Sequence, residues 1–217
     1  IGRFNASNLM AVAATLLADG ISIEKVADVL GQLRAAPGRM QRIYADGNCA
    51  VPSVYVDYAH TPDALAKALD TVRETQPKSL SVVFGCGGDR DRRKRPLMGQ
   101  IAVERADRVY VTSDNPRSES PDSIIAEIVG GMGANQEKLE IVVHRRDAIH
   151  AAIHAAGAAD AVLIAGKGHE LYQEIGGARF AFSDEGEAHS ALMSYRVPVA
   201  TAARSNSTSQ EGNHVVK

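Results

Sequence analysis

Three features of the 217-residue sequence predict an α/β fold, a doubly wound and mostly parallel sheet with helices on both faces. From about residue 42, short β-rich runs alternate with stretches long enough for helices, as in parallel strands joined by crossovers. Two of those stretches open on a hydroxyl–proline–acid sequence that favours helix initiation. Three of the strands run straight into polar or glycine-rich loops, and ligands of open parallel sheets bind where such loops converge.

Ahead of the sheet, Leu9, Val12, Ala13, Leu16 and Leu17 recur at helical spacing, with Ser7 as the expected N-cap and Gly20 as terminator. Ser22 is expected to cap a second helix carrying Val26, Val29, Leu30 and Leu33, and Pro37-Gly38 ends the helical pattern. So small a pair cannot bury both apolar faces alone, and it is expected to pack on something else. Strands are expected at Val51–Val56, Leu80–Phe84, Arg108–Thr112, Leu139–Val143 and Ala161–Ala165. Thr61-Pro62-Asp63 heads a helix carrying Leu65, Leu69 and Val72, and Ser120-Pro121-Asp122 heads one carrying Ile124, Ile125 and Ile128. In both, the hydroxyl is the expected cap. Residues Arg179–Phe182 read as a last, antiparallel edge strand, and Asp184 with Glu187 as the capping box of a closing helix. The small and polar residues 200–217 read as a disordered tail.

Composition narrows the function. With 24 Lys+Arg against 26 Asp+Glu, the chain lacks the basic excess that phosphate backbones demand, so nucleic acid is not an expected partner. No apolar run approaches the roughly 18–20 residues of a membrane span. Cys49 and Cys86 lack the CxxC spacing of zinc or redox sites, which makes a reducing cytoplasm the simplest location. The chain opens at Ile1 without an initiator Met or a signal-peptide pattern, and is expected to be a piece of something longer.

Chemistry concentrates after the strands. Gly85-Cys86-Gly87-Gly88-Asp89-Arg90 falls short of GxGxxG, since Arg90 stands at the third glycine position, and no GxxxxGK[ST] occurs in the chain. A nicotinamide cofactor and a self-sufficient triphosphate site are therefore not expected. The glycines also suit a plain tight turn, and the basic run Arg90–Arg95 also suits a solvated stretch. Asp114-Asn115-Pro116-Arg117 suits a simple turn as well, but places an acid, an amide and a guanidinium within four residues. Such a set can hold a zwitterion, with Arg117 taking a carboxylate bidentately and Asp114 and Asn115 taking ammonium protons. Glu170, in Gly166-Lys167-Gly168-His169-Glu170, can supply a further acid.

His60, between a strand and a helix start, suits either a phosphate-side contact or a structural role against a loop carbonyl. His150 and His154 have the spacing of two metal ligands but lack a third, so they read as an ordinary helix face and no metal site is expected. Cys86 reads as a small buried thiol rather than a reactive one.

Taken together, DYAHTPDAL at 57–65, GCGGDRD at 85–91, KRPLM at 94–98, DNPR at 114–117 and GKGHE at 166–170 resemble the Mur ligases. Among these they are most similar to members that add meso-diaminopimelate to UDP-N-acetylmuramoyl-L-alanyl-D-glutamate in peptidoglycan precursor synthesis. The resemblance runs from residue 4 to about 197. It implies a three-domain, ATP- and Mg²⁺-dependent ligase working through an acyl phosphate. Residues 1–40 would be the helical end of the central ATP-binding domain, 41–199 the Rossmann-like domain that brings the amino acid, and 200–217 the tail. It also implies that Arg90, Asp114, Asn115, Pro116, Arg117, Gly166 and Glu170 contact meso-diaminopimelate, and that Asn8, Arg39 and Asp57 contact the nucleotide. Lysine lacks the distal carboxylate, so a fork at Arg117 would discriminate against it. Lacking the P-loop and the UDP-binding domain, the chain alone is expected to be inactive. A non-catalytic amino-acid-binding or regulatory module on the same sheet is the competing expectation.

Overall fold

The computed structural model describes residues 3–33, 36–45, 50–134 and 136–196. Helices α1 (Arg3–Ala18) and α2 (Ile23–Gln32) precede a six-stranded sheet. Its strands are β1 (Gln41–Ile43), β2 (Ser53–Asp57), β3 (Leu80–Phe84), β4 (Arg108–Val111), β5 (Leu139–Ile141) and β6 (Ala161–Ala165), in the order β1-β2-β6-β3-β4-β5. Every pairing is parallel except β1 with β2. Helices α3 (Pro62–Arg73), α4 (Lys94–Arg105), α5 (Pro121–Val129) and α6 (Arg145–Ala155) connect the strands, and α7 (Asp184–Met193) is the last element described. Strands β7 (Tyr172–Ile175) and β8 (Ala178–Ala181) form a separate antiparallel hairpin.

The expected α/β architecture holds, and the alternation of side chains across the pleat explains its two cores. Tyr55, Val82, Phe84 and Leu163 face one side and pack with Leu65 and Leu69 of α3, Met98 of α4 and Ile128 of α5. Val54, Val56, Val83, Val162 and Ile164 face the other and pack with Ile149 and Ile153 of α6 and Leu192 of α7.

Several local expectations are corrected. Helix α1 begins at Arg3, so Ser7 is inside it rather than its cap. Ser22 does cap α2, and Thr61 Oγ1 accepts the Ala64 N–H at 3.3 Å, whereas Ser120 makes no side-chain cap bond. Ser183, not Asp184, caps α7; Asp184 is wholly buried and pairs with Arg145. The strand near Arg179 pairs with β7 alone instead of joining the main sheet. Strands β1 and β7 match none of the strands expected from the residue pattern. On α1 and α2, Leu9, Met10, Ile23 and Val29 remain exposed, and only Val26 of α2 is buried. Cys49 and residues 200–217 lie outside the described residues.

Replacing Thr61 with alanine removes a cap without touching a core side chain. The expected cost is about 1 kcal/mol, read as a small shift in the urea midpoint.

Candidate functional site

Four strand ends lie level. Asp57 is registered with Ala165, Ala165 with Phe84, and Phe84 with Val111, so the loops after β2, β6, β3 and β4 emerge side by side.

Glycine permits the close contact of two of them. A Cβ on Gly85 would run into the Thr112 carbonyl, and one on Gly88 into the Pro116 carbonyl. The Gly88 N–H donates to the Asn115 carbonyl at 2.9 Å. Gly88→Ala must therefore push the loops apart, with an expected loss of about 1–3 kcal/mol in urea unfolding. Unchanged stability would show that the loops are not in contact.

The loop after β4 is held from three sides. Asp114 Oδ1 accepts the Asn115 N–H at 2.7 Å, while its Oδ2 faces Gly166, which adopts φ +120°. Asn115 is 2% exposed and its amide is engaged inside the protein. Its Nδ2 donates to Glu170 Oε2 at 2.9 Å, and its Oδ1 accepts from Lys167 Nζ at 3.0 Å and from the Glu174 N–H at 2.9 Å. Asn115 Oδ1, expected to accept ammonium protons, thus already accepts from two donors, and Nδ2 holds Glu170. Pro116 is buried and offers no donor, but fixes the turn before Arg117.

Arg117 itself sits at φ +52°, a conformation costly for a side-chain-bearing residue unless its surroundings enforce it. They do so through β7. The Arg117 N–H donates to the Glu174 carbonyl at 3.0 Å, and the Gly176 N–H donates to the Arg117 carbonyl at 2.8 Å. Its Nη1 donates to the Gly88 carbonyl at 2.7 Å and its Nε stands 3.7 Å from Glu174 Oε2. Nη2 makes no hydrogen bond among the described residues.

Glu170 Oε2 also accepts from Lys167 Nζ at 2.9 Å, leaving Oε1 without a described partner. Burial pushes the Glu170 carboxyl up, but the Lys167 bond and charge, with Asn115 and Arg117, outweigh it and hold the group below the usual carboxylate range. Beneath this loop, Arg145 donates to the Ala165 carbonyl at 2.9 Å and bidentately to Asp184 at 2.7 and 2.8 Å.

The basic run divides. Arg90 is exposed and donates to the Asp89 carbonyl at 3.1 Å. Arg92 pairs with Glu127 and Arg93 with Asp91 on the surface. Arg95 is fully buried, bonded to Glu119, Glu127 and the Gly87 carbonyl. Glu119 also accepts the Asp89 N–H at 2.7 Å, so Arg95 and Glu119 brace the turn that carries Arg90. The Arg95 guanidinium holds the Glu119 carboxyl down to about 2, against an ordinary value of 4.5. Because the folded-state value is depressed, this stabilisation is complete above about pH 4.5 and disappears as pH falls towards 2. The gap in Tm between the wild type and Glu119→Gln is expected to be open at pH 7, to narrow as pH falls below about 4.5 and to close only below about pH 2. A gap that stays constant contradicts the pairing.

On the β2 side, the Met40 N–H donates to Asp57 Oδ2 at 2.7 Å, and burial raises the Asp57 carboxyl. The Arg39 guanidinium lies 5.2 Å from the Tyr58 ring centre, with His60 at 4.6 Å and His169 at 5.6 Å from the same ring. His60 Nδ1 is 2.8 Å from the Tyr58 carbonyl, the structural contact expected as one of its two roles. Arg39, Asp57 and His60 thus gather at one strand end. Asn8 lies exposed on α1, and no described contact joins it to them. Cys86 is buried, and burial lifts its thiol to about 12, so it is no nucleophile. His150 stands 3.4 Å from Glu187 and His154 bonds the Ala191 carbonyl, both on the α6–α7 contact.

Sequence reasoning assigned no role to Lys167, Glu119, Arg145 or Glu174; it read Asp184 as part of a capping box and Arg95 as part of a solvated basic run, whereas both are buried in ion pairs. Lys167 lay inside a motif already singled out, and its position next to Glu170 was the available signal. The Arg145–Asp184 pair spans two helices and leaves no local pattern.

The family model described as "Mur ligase, glutamate ligase domain" matches residues 38–168. The UDP-N-acetylmuramoyl-L-alanyl-D-glutamate--2,6-diaminopimelate ligase of Chromobacterium violaceum is 49% identical over 197 residues, covering 90% of this chain and 39% of the relative. The protein of the same name from Parasynechococcus marenigrum is 50% identical over 194 residues, covering 88% and 39%. A solved structure bearing that name superposes with a TM-score of 0.71 at 44% identity, over 89% of this chain and 39% of its own. The chain therefore spans about two fifths of the length of the relatives it matches. By fold, motifs and descent, the chain belongs to the Mur ligase family.

Proposed function

We propose that this chain is the amino-acid-binding part of an ATP-dependent ligase that joins meso-diaminopimelate to UDP-N-acetylmuramoyl-L-alanyl-D-glutamate in the cytoplasm. One observation carries the reading: among the described residues, Arg117 Nη2, Asp114 Oδ2 and Glu170 Oε1 make no hydrogen bond, on loops that the network around Asn115 ties together. One guanidinium edge and two carboxylate oxygens match an amino-acid end that bears both carboxylate and ammonium. Arg90 and Gly166 border the same loops. The names of the relatives, which specify 2,6-diaminopimelate, support this choice of substrate.

In this reading Arg117 takes the distal carboxylate, and Asp114 and Glu170 take the neighbouring ammonium. The ligand's other amino group then points away from the loops, toward the acceptor. ATP, when bound, supplies the phosphoryl group that activates the acceptor carboxylate. Asp57 and Arg39 would hold its nucleoside, with His60 on the phosphate side; Asn8 would join them only through α1. Among the described residues no three His, Cys, Asp or Glu gather as a metal site, and no residue is assigned to the Mg²⁺ that the resemblance implies. Residues 1–40 are proposed to belong to the ATP-binding neighbour, because the exposed apolar side chains of α1 and α2 suit burial against another domain better than a self-contained module.

Calorimetric titration of the chain with meso-diaminopimelate and L-lysine tests the pocket. The first is expected to bind more tightly, and equal binding would sink the assignment. Pure chain is also expected to release no phosphate from ATP when meso-diaminopimelate is added.

A further inference from the structure

Lys167 is a charged side chain with no exposed surface. A buried ammonium is costly unless it is paired and hydrogen-bonded. Here the pairing is complete in an informative way. Nζ reaches Asn115 Oδ1 at 3.0 Å and Glu170 Oε2 at 2.9 Å, and it stands 5.5 Å from the Tyr172 ring centre. Asn115 answers by giving its own Nδ2 to the same Glu170 oxygen. Three side chains from the loops after β4 and β6 thus close a ring, and each contact depends on the orientation of the others. With Lys167 on Oδ1, the Asn115 amide can face Glu170 only through its donor end. With two donors on Oε2, the Glu170 carboxylate is turned so that Oε1 remains open.

We propose that Lys167 is a positioning residue for amino-acid recognition: it locks Asn115 and Glu170 into one arrangement and keeps Glu170 an anion with one oxygen presented to the ligand's ammonium. This rests on the assignment of meso-diaminopimelate to the loops. Lys167 does not touch the ligand. It acts through Glu170, whose other charged neighbours are Arg117, on the loop after β4, and Arg145, at the start of α6. Both are cations, but neither donates a hydrogen bond to Glu170. Without Lys167, burial of the carboxyl is opposed by fewer contacts, and Glu170 takes up a proton at higher pH.

The test is titration of the ¹⁵N-labelled chain with meso-diaminopimelate at pH 5.5 and pH 8, for the wild type, Lys167→Met and Arg117→Ala. Wild-type affinity is expected to differ little between the two pH values. In Lys167→Met, affinity at pH 5.5 is expected to fall about tenfold below that at pH 8, because a protonated Glu170 no longer attracts an ammonium. A loss that is equal at both pH values, or no loss, would overturn the proposal, since a purely structural lysine would leave the pH profile unchanged. If Arg117→Ala binds like the wild type, or the wild type shows no binding up to the ligand's solubility, the pocket assignment itself fails and the proposal falls with it. Should Lys167→Met not fold, the Lys167 ammonium resonance of the wild type decides. It is expected to stay protected from exchange with and without ligand, and its release on adding meso-diaminopimelate would contradict a lock that persists in the complex.

Discussion

Replacing Arg145 with alanine is expected to destabilise the protein by about 3–5 kcal/mol, more than the loss of a cap or of a loop glycine. The reason is the charge left behind. Asp184 is 0% exposed, and Arg145 satisfies both of its oxygens through Nε and Nη2. Without the guanidinium, a carboxylate at the start of α7 would stand unpaired inside the protein or take up a proton. The Ala165 carbonyl, one residue before the left-handed Gly166, would lose its donor as well. Removing both charges together, as in Arg145→Met with Asp184→Leu, is expected to recover much of the loss, because a buried ion pair contributes little beyond its own desolvation. Urea unfolding at pH 7 measures each variant. A single-variant loss below about 1 kcal/mol would mean that water reaches the pair.

Arg117→Ala is expected to weaken meso-diaminopimelate binding by about 2–4 kcal/mol, roughly 30- to 1000-fold. The side chain is largely enclosed, with Nη1 anchored on the Gly88 carbonyl, so Nη2 is aimed before any ligand arrives. Arg117→Lys keeps the charge but lacks the planar fork, and it should recover only part of the affinity. The backbone adds a second demand, since position 117 must hold φ +52°. Both variants share that strain with the wild type, so their urea midpoints provide the control that separates folding from recognition. For L-lysine, which has no distal carboxylate, the same substitutions should change little. Equal losses for both amino acids would assign Arg117 a structural role.

The strand–helix alternation was legible because β-rich runs and helix starts are local signals. Leu80–Phe84 and Ala161–Ala165 stand where the sequence puts them. Strand β1 escaped because three residues, Gln41–Ile43, carry no periodicity, and its antiparallel pairing with β2 is a tertiary fact. Ser120 looks like Thr61 in sequence, yet only Thr61 forms its cap bond, since rotamer and loop path are set by surroundings. At the site, the loops that come together were legible, and the hydrogen bonds among their side chains were not. Nothing near Asn115 in sequence announces that its amide bonds Lys167, Glu170 and the Glu174 backbone, residues 52 to 59 positions away. Only folding brings them together.

Chemical-shift mapping of the ¹⁵N-labelled chain with meso-diaminopimelate tests the central claim most directly. Shifts confined to Gly87–Arg90, Asp114–Arg117 and Gly166–Glu170, and much weaker with L-lysine, are the predicted result. Shifts centred elsewhere, or the same pattern and strength with L-lysine, would contradict a site built around the Arg117 fork.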